Sequence, residues 1–560
     1  MDQPTLSRKD VLSTAALAAL ALALPKSALS QTPPATPQIT IEDLKTAQKL
    51  AGLNFSDDEL KEALPDVKDW LAGYEGVRKQ PITYQVEPPT VFQPFSLREE
   101  KRKRGIGTTT YLNRSLRRPI SDEDLAYLPV RDLAQLIRSK QISSVELTDF
   151  YLARLERYGD KLLAVVTLMP EQARADAKKA DQEMAAGRNK GLLHGIPTGV
   201  KDLFALKGFP TTWGAEPYKD QVFDYDAAVV ENLRGAGAII CAKTSLGALA
   251  QGDVWFKGKT KNPWNPAEGS SGSSAGSAAC VSAGLLPYAI GTETLGSIMS
   301  PSNQCRVTGL RPSYGRISRY GAMAVSWTMD KIGPICRCAE DAAIVFAHLA
   351  QMDTRDRSWV DRPFHFKPDV DVRKLRIAFL LDAKEDAKTT TKPEEMEVLQ
   401  VLARLGAKLQ PVSITPAEDG LFAVLEVEAA AAFDELTRSD RIHLLKDSSW
   451  PQSYRASRFV PGVEFLQAQR GRTLLMQKFE EELGDVDVLV ADGRGGSALF
   501  ITNLTGHPQM LLPWGADEKG KSKSVSLIGR LYEEDTLLAV ANAIQLVTNY
   551  HSRRPDLSKL

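Results

Sequence analysis

Cysteine and histidine are scarce in this 560-residue sequence, and their placement argues against several kinds of site. The five cysteines are too few for a disulfide framework, and their number is odd. We therefore expect the cysteines to be buried and to pack as small hydrophobic residues. The six histidines are scattered, and Cys336 and Cys338 have neither zinc-finger spacing nor a second cysteine pair. We therefore predict no metal site.

The sequence also lacks an excess of charge of either sign. Lysine plus arginine and aspartate plus glutamate both number 70, which gives no net field toward nucleic acid or an anionic membrane. The charge run at residues 99–104 is interpreted as a solvated linker. Away from the N-terminus no apolar run reaches about 18 residues, so we expect no membrane span there. A nucleic-acid partner is not predicted.

The N-terminal 30 residues have the pattern of an export signal. Arg8 and Lys9 precede an apolar segment at residues 11–24, and Ala28-Leu29-Ser30 offers the small residues that a signal peptidase reads. The pattern predicts a signal peptide over residues 1–30, of a twin-arginine-like or Sec type, and hence a periplasmic or secreted protein. An uncleaved anchor and a buried Ala/Leu helix are the alternatives.

Two further regions follow the predicted signal peptide. Residues 31–120 form an N-terminal extension with helical patterning and proline-rich chain. Residues 121–555 have the pattern of an α/β domain, in which the capping box Ser143-Ser-Val-Glu146 predicts a helix start. Within this domain, residues 351–498 form a variable region with a predicted strand at 375–381 and predicted helices at 392–405, 421–437 and 465–483.

A serine- and glycine-rich stretch, Gly269 to Pro301, contains eight serines and six glycines in 33 residues. So little side-chain bulk lets the backbone approach another molecule and present its N–H groups. The stretch lacks the G-x-x-x-x-G-K-[ST] pattern of a phosphate-binding loop. Gly272–Gly276 fits the nucleophile elbow G-x-S-x-G around Ser274, but the prolines just before it cannot form the strand that an elbow requires.

A lysine stands unexpectedly in the apolar run at residues 192–204. Burying a charged lysine costs several kcal/mol, so Lys201 must reach solvent, pair with an acid, or have a lowered pKa. A lysine held neutral by burial can remove the proton of a serine hydroxyl, in a Ser-Lys variant of the catalytic triad. The serine-rich stretch and Lys201 together therefore suggest nucleophilic catalysis.

These residues resemble the motifs of the amidase signature family, which includes amidases and the glutaminase component of tRNA-dependent amidotransferases. Lys201 stands in Gly-Val-Lys-Asp, Ser273 in Gly-Ser-Ser-Ala-Gly-Ser-Ala-Ala and Ser297 in Gly-Thr-Glu-Thr-Leu-Gly-Ser-Ile. The separation of 24 residues between the two serines is the usual one in that family. Further matches are Leu193–Pro197, Asp226–Val230, Asn262–Pro266, Gly309–Arg316, Asp330–Pro334 and Asn503–Pro508.

The resemblance implies an α/β fold with a mixed sheet of about eleven strands covered by helices on both faces. It implies a Ser-cisSer-Lys triad in which Ser297 attacks an amide carbonyl and Ser273 relays its proton to Lys201. Backbone N–H groups of Thr294, Leu295, Gly296 and Ser297 would form the oxyanion hole. No metal or organic cofactor is implied. The partner would be a small-molecule amide, whose binding residues the sequence does not identify. A homodimer is one possible assembly.

Three functions remain open from the sequence. The first is an amidase that releases an acid and an amine or ammonia. The second is the glutaminase component of a tRNA-dependent amidotransferase, against which the signal peptide argues because that work needs cytoplasmic partners. The third is a weak or inactive amidase-like binding protein, because Glu293, Leu295 and Met299 depart from the family pattern Gly-Thr-Asp-x-Gly-Gly-Ser-Ile-Arg.

Overall fold

The computed structural model describes residues 39–78, 90–95, 111, 116–381 and 393–560, and the predicted signal peptide lies outside them. The chain divides into two compact units, residues 1–82 and 83–560. In the first unit, helix α1 (Ile41–Leu50) begins with a capping box between Thr40 and Asp43, and α2 (Asp57–Arg78) follows. Both helices fall in the segment predicted as a helical extension.

The second unit contains the strands. They are β1 (Val165–Leu168), β2 (Pro197–Lys201), β3 (Ile239–Thr244), β4 (Val254–Trp255), β5 (Gly258–Lys259), β6 (Lys261–Asn262), β7 (Asn265–Gly269), β8 (Tyr288–Glu293), β9 (Thr308–Arg311), β10 (Lys331–Cys336), β11 (Arg376–Leu381), β12 (Lys408–Ser413), β13 (Val488–Asp492), β14 (Gln509–Ala516) and β15 (Ser522–Gly529).

The α-helices of the same unit lie between these strands and after them. They are α3 (Asp122–Ala126), α4 (Val130–Arg138), α5 (Ser144–Leu162), α6 (Pro170–Ala185), α7 (Ala228–Gly235), α8 (Ala275–Ser282), α9 (Met299–Cys305), α10 (Ala339–Leu349), α11 (Pro393–Arg404), α12 (Ala423–Ala432), α13 (Asp434–Arg438), α14 (Trp450–Ser457), α15 (Gly462–Leu483), α16 (Ala498–Thr505) and α17 (Glu534–Leu546). No helix among the described residues is long and apolar enough to cross a membrane.

Eleven strands of the described chain form one sheet, in the order β1-β3-β2-β8-β10-β9-β14-β15-β13-β11-β12. Strand β2 is parallel to β3 and β8, and β11 is parallel to β12 and β13, whereas the other neighbours are antiparallel. The predicted mixed sheet of about eleven strands is confirmed. Strands β4 to β7 form two separate hairpins before the serine-rich stretch.

Alternate residues of the central strands enter two different hydrophobic cores. Tyr288 and Ile290 of β8 belong to one core, and Ala289 belongs to the other. Because successive strand residues point to opposite faces of a sheet, the two cores lie on opposite faces. Helices α7, α10 and α17 contribute to the first core, and α6, α8 and α9 contribute to the second. Helices therefore cover both faces, as predicted.

Some of the helices and strands predicted from the sequence agree with the structure, and others differ in their bounds. Ser143 caps α5 with the predicted capping box to Glu146, and β11 matches the strand predicted at 375–381. The helix predicted at 421–437 is interrupted at Phe433, which separates α12 from α13. Strand β8 begins at Tyr288, and its pairing with β10 extends to Glu293, directly before the segment with the predicted oxyanion-hole residues.

Candidate active site

Lys201 is the last residue of β2, and its side chain is fully buried. Its Nζ lies 2.8 Å from Ser273 Oγ, 3.2 Å from Ser274 Oγ and 2.8 Å from Thr292 Oγ1. The buried lysine therefore faces hydroxyl groups, and its hydrogen bonds are made without a carboxylate. From the sequence, Lys201 is expected to reach solvent, to pair with an acid, or to have a lowered pKa. It is buried and its hydrogen bonds include no carboxylate, which leaves the third environment.

Burial is the main cause of the low basicity of Lys201. It lowers the pKa to about 7, although the charges of Asp330 and Glu293 act in the opposite direction. A buried ammonium loses its hydration, which disfavours the charged form. Near neutral pH a substantial share of Lys201 is thus uncharged and able to accept a proton.

The loop before α8 brings two serines to Lys201. The peptide bond between Gly272 and Ser273 is cis, as the resemblance implied. Ser274 precedes α8; its Oγ donates to the Thr292 carbonyl at 3.1 Å and accepts from the Thr292 N–H at 3.1 Å. Sequence reasoning considered Ser274 only as a nucleophile. Its position between Lys201 and β8 depends on contacts between distant parts of the chain.

Residues 294–297, whose N–H groups are predicted to form an oxyanion hole and which are called the oxyanion loop below, follow directly after β8. None of their four backbone N–H groups donates a hydrogen bond to another residue that the structure describes. Gly296 has a φ of 85°, a conformation that favours glycine, whereas Leu295 needs no such backbone. The Ser297 carbonyl accepts a hydrogen bond from the Ser274 N–H at 3.1 Å, which places Ser297 beside the two serines that face Lys201.

A buried carboxylate, Glu293, holds the C-terminal end of this loop. Its Oε2 accepts hydrogen bonds from the N–H groups of Ile298 and Met299, at 2.8 and 3.0 Å. Its Oε1 accepts from Arg311 Nη1 at 2.6 Å and from Asn503 Nδ2 at 3.0 Å. Burial alone would raise the pKa of Glu293, but the Arg311 charge and these hydrogen bonds lower it to about 2. Glu293, which stands where the family pattern has the shorter Asp, is therefore ionised, and both of its carboxylate oxygens accept hydrogen bonds.

A second buried carboxylate, Asp330, contacts the N-terminal end of the loop. Thr294 Oγ1 donates to it at 2.5 Å, and the N–H groups of Val325 and Ser326 donate to it at 2.7 and 3.1 Å. Asp330 belongs to a motif quoted for the family resemblance, yet the sequence suggested no role for it. Only the pairing of β8 with β10 brings it to Thr294, 36 residues away.

The described residues contain no cluster of three or more His, Cys, Asp or Glu side chains that could hold a metal ion. The described cysteines are free, and four of the five are buried. Around Lys201 and the loop the structure places hydroxyl groups, backbone N–H groups and two buried carboxylates. Such a set can move a proton and stabilise a negatively charged oxygen.

Comparison with known proteins identifies the class to which this arrangement belongs. The family model described as Amidase matches residues 146–492, which include Lys201, both predicted catalytic serines and the oxyanion loop. This chain belongs to the amidase signature family.

Individual relatives fall into two groups. A glutamyl-tRNA(Gln) amidotransferase subunit of Roseiflexus sp. (strain RS-1) is 33% identical over 490 residues, covering 77% of this chain and 99% of the relative. The solved peptide amidase of Stenotrophomonas maltophilia is 27% identical with a TM-score of 0.67, covering 76% of this chain and 98% of that one. An amidase family protein of Bacillus anthracis str. Ames is 27% identical with a TM-score of 0.68, covering 78% and 93%.

Proposed function

We propose that this protein hydrolyses a carboxylic amide through an acyl-enzyme on Ser297. The observation that carries the proposal is the fully buried Lys201, with its pKa lowered to about 7 and its Nζ 2.8 Å from Ser273 Oγ. A neutral amine in that position is the base that a serine hydroxyl needs before it can attack. Membership of the amidase family supports the choice of an amide as substrate.

The proposed reaction begins with proton transfer through Ser273. As Ser297 Oγ attacks the carbonyl carbon, its proton passes to Ser273 Oγ, and the proton of Ser273 passes to neutral Lys201. The carbonyl oxygen becomes negatively charged and accepts hydrogen bonds from the N–H groups of Thr294, Leu295, Gly296 and Ser297.

Collapse of this intermediate breaks the C–N bond. Lys201 returns its proton through Ser273 to the leaving nitrogen, which departs as an amine or ammonia. Water then attacks the ester carbonyl on Ser297 while the same relay takes its proton. The C–O bond to Ser297 breaks, the relay returns the proton to Ser297 Oγ, and the carboxylic acid is released. The proposed steps use no metal and no organic cofactor.

The test is hydrolysis of a panel of simple amides and glutamine by the purified protein, with Ser297→Ala and Lys201→Ala as variants. We expect each variant to lose about four orders of magnitude in kcat on any amide that the wild type cleaves, as removal of a triad member does. Losses below about tenfold would refute the assigned roles.

A second candidate is the glutaminase component of a tRNA-dependent amidotransferase, favoured by the 33% identity to glutamyl-tRNA(Gln) amidotransferase subunits. The same proton relay would then release ammonia from glutamine. Glutamine turnover well above that of other amides, together with copurification of two further subunits from the cytosol, would establish this function. Turnover of simple amides by the chain alone would favour the amidase.

The third candidate, an inactive binding protein, is suggested by the departures from the family pattern. The contacts of Glu293 and the backbone of Leu295 give it less support. Glu293 is ionised and bonded, and the positive φ of the oxyanion loop falls on Gly296 rather than Leu295. A fluorophosphonate that labels active-site serines distinguishes the cases. Failure of the wild type to react would favour the binding protein.

We also propose that the protein acts in the periplasm or outside the cell, on a small-molecule amide. The support is the pattern of residues 1–30 in the sequence: two cations, an apolar segment and small residues.

A further inference from the structure

A cavity of about 280 Å³ lies against the segment at residues 319–324. Its walls include five aromatic side chains, and we call it the aromatic chamber: Trp213, Phe223, Tyr225, Tyr320 and Trp327. Neither the sequence nor the proposed proton relay assigns this space a role.

The chamber adjoins the chain that leaves Lys201. The N–H of Met323 donates to the Leu203 carbonyl at 3.0 Å, and the N–H of Ala205 donates to the Gly321 carbonyl at 2.9 Å. From the other side, the N–H of Trp213 donates to the Asp202 carbonyl at 3.1 Å. The residues directly after the predicted base are therefore bonded to two walls of the chamber.

A much smaller space of about 10 Å³ is lined both by residues of the chamber and by residues near the candidate active site. It shares Arg319, Ala322, Met323 and Ala324 with the chamber, and its other walls include Thr292 and Thr294. Thr292 contacts Lys201, and Thr294 begins the oxyanion loop. The chamber is thus joined to the surroundings of Lys201 and of the oxyanion loop through one shared segment, residues 322–324.

Four of the rings form a continuous wall. The ring centroids of Trp213 and Phe223 are 6.3 Å apart, those of Phe223 and Tyr225 are 5.3 Å apart, and those of Tyr225 and Tyr320 are 5.7 Å apart. The Arg355 guanidinium lies 4.0 Å from the centroid of Tyr320 and is ion-paired to Glu231. Packed rings of this kind form a wall in place before a ligand arrives, which favours binding because little must be ordered.

The chemistry of the walls selects a ligand. Aromatic faces and edges attract a planar ring at offset-stacked or edge-to-face geometry. An apolar cavity of about 150 Å³ holds benzene, so about 280 Å³ accommodates one substituted ring but no long chain. Most of the charged side chains at the chamber are paired: Arg319 with Asp356, and Arg355 with Glu231 and Asp353, while Arg357 is exposed. The rings therefore dominate the choice of ligand.

We propose that the aromatic chamber binds an aromatic ring of the substrate, so that the enzyme prefers aryl amides. This inference rests on the proposed amide hydrolysis and names its substrate class. It predicts a preference that depends on the rings of the chamber and leaves the proton relay unchanged.

Paired substrates measure the preference on either side of the amide. Benzamide is compared with cyclohexanecarboxamide, and acetanilide with N-cyclohexylacetamide, so that size is nearly constant while the ring changes from aromatic to saturated. Because this change also alters the reactivity of the amide, each ratio is compared with the same ratio in Tyr320→Leu. We expect kcat/KM for the aryl member of at least one pair to be about tenfold higher, since aromatic pairs add up to about that factor beyond burial of area. Equal kcat/KM in both pairs would overturn the proposal.

Variants at Tyr320 connect the preference to the chamber. Tyr320→Leu removes a ring from the wall, and we expect the aryl preference to fall about fivefold. Tyr320→Phe keeps the ring and should retain the preference, which controls for folding and for the hydroxyl. Phe459→Leu, at a side chain that is 66% exposed and does not line the chamber, should also retain it. An unchanged preference in Tyr320→Leu would contradict the proposal.

Binding to a Ser297→Ala protein separates this inference from the proposed function. Calorimetric titration with benzamide and acetanilide should show binding of the aryl ligand that Tyr320→Leu weakens. If the wild type cleaves no amide but this binding is found, the proposed hydrolase function is wrong and the proposal that the chamber binds an aromatic ring is supported. If amides are cleaved without an aryl preference, the chamber fails and the hydrolase function stands.

Discussion

At the scale of single residues, the proposed chemistry depends on one buried amine. Lys201 Nζ is surrounded by the hydroxyls of Ser273, Ser274 and Thr292, and burial lowers its pKa to about 7. Only the uncharged form can accept a proton. Activity should therefore be present above pH 7 and decline below it.

The first prediction concerns the pH dependence of kcat/KM. For the wild type it should rise about tenfold per pH unit below pH 7 and level off above, because the neutral fraction of Lys201 rises in that way. Lys201→Arg keeps the charge but cannot lose its proton, so activity should fall by about 10³ or more at every pH. Rates from pH 5 to 9, with circular dichroism to monitor folding, test this. An arginine variant with the wild-type profile would contradict it.

The second prediction concerns Asp330, which we propose as a positioning residue for the oxyanion loop. Its negative charge raises the pKa of Lys201, and its carboxylate accepts the Thr294 hydroxyl. Asp330→Asn should lower kcat and also move the ascending limb of the pH profile to lower pH. Thr294→Val removes the hydrogen bond but no charge, so kcat should fall while the limb stays in place.

Other groups also act on these residues, among them Lys331, whose pKa is lowered by burial although the charge of Asp330 acts in the opposite direction. Glu293 also raises the pKa of Lys201, while Arg319 and Thr294 act on Asp330. Thr294→Ser keeps the hydroxyl and should restore most of the rate. A limb that shifts equally in Asp330→Asn and Thr294→Val would show that the charge of Asp330 has no separate effect.

At the scale of elements, the oxyanion loop is held by carboxylates at both ends. Asp330 binds its first residue, and Glu293 binds the two N–H groups just after its last residue. The loop is short, so fixing both ends fixes the direction of its N–H groups. Such preorganised donors are worth most where water is excluded.

The third prediction concerns the stability contributed by Glu293. Its pKa is lowered from 4.5 to about 2, so its stabilising contribution is complete above pH 4.5 and is lost as the pH falls through 2. Glu293→Gln leaves Arg311 buried without its counter-charge, which should cost about 3 kcal/mol at pH 7. Urea unfolding at pH 7 and pH 3 measures both effects.

A matched control is available on the surface. Glu268 is exposed on β7, so Glu268→Gln should change the free energy of unfolding by less than about 0.5 kcal/mol. An unfolding free energy of Glu293→Gln within that same range would show that the buried pair contributes nothing.

The elements also show what the sequence could predict. The capping box at Ser143 is a local pattern, and the helix start that it predicts is confirmed. The serine-rich stretch is also a local pattern, and its role as a site stays a prediction. The extent of β8 and the roles of Ser274 and Asp330 were not predicted. They depend on strand pairing between residues far apart in sequence, which periodicity and motif spacing do not contain.

At the scale of the whole molecule, the eleven-stranded sheet brings distant segments to one place. Lys201 ends β2, the oxyanion loop follows β8, and β10 begins directly after Asp330, with β8 next to both β2 and β10. The family resemblance supplied the number of strands and the mixed directions. Composition and motif spacing do not predict the order of the strands in the sheet.

The fourth prediction concerns residues 1–30, which we propose as an export signal. Expressed with its own N-terminus in a Gram-negative host, the protein should appear in the periplasm with a chain that begins near residue 31. Replacing Arg8 and Lys9 by glutamine should retain it in the cytosol at full length. Fractionation and intact-mass measurement test this. A wild-type chain of full length in the cytosol would contradict it.

The most direct test of the central claim is the site of covalent reaction. The protein is treated with a fluorophosphonate and digested, and the modified serine is located by mass spectrometry. We expect the adduct on Ser297 in the wild type, none in Ser297→Ala, and much slower labelling in Lys201→Ala, because the serine then lacks its base. Labelling of Ser297→Ala at the wild-type rate, or an adduct on another serine, would contradict the assignment of Ser297 as the nucleophile.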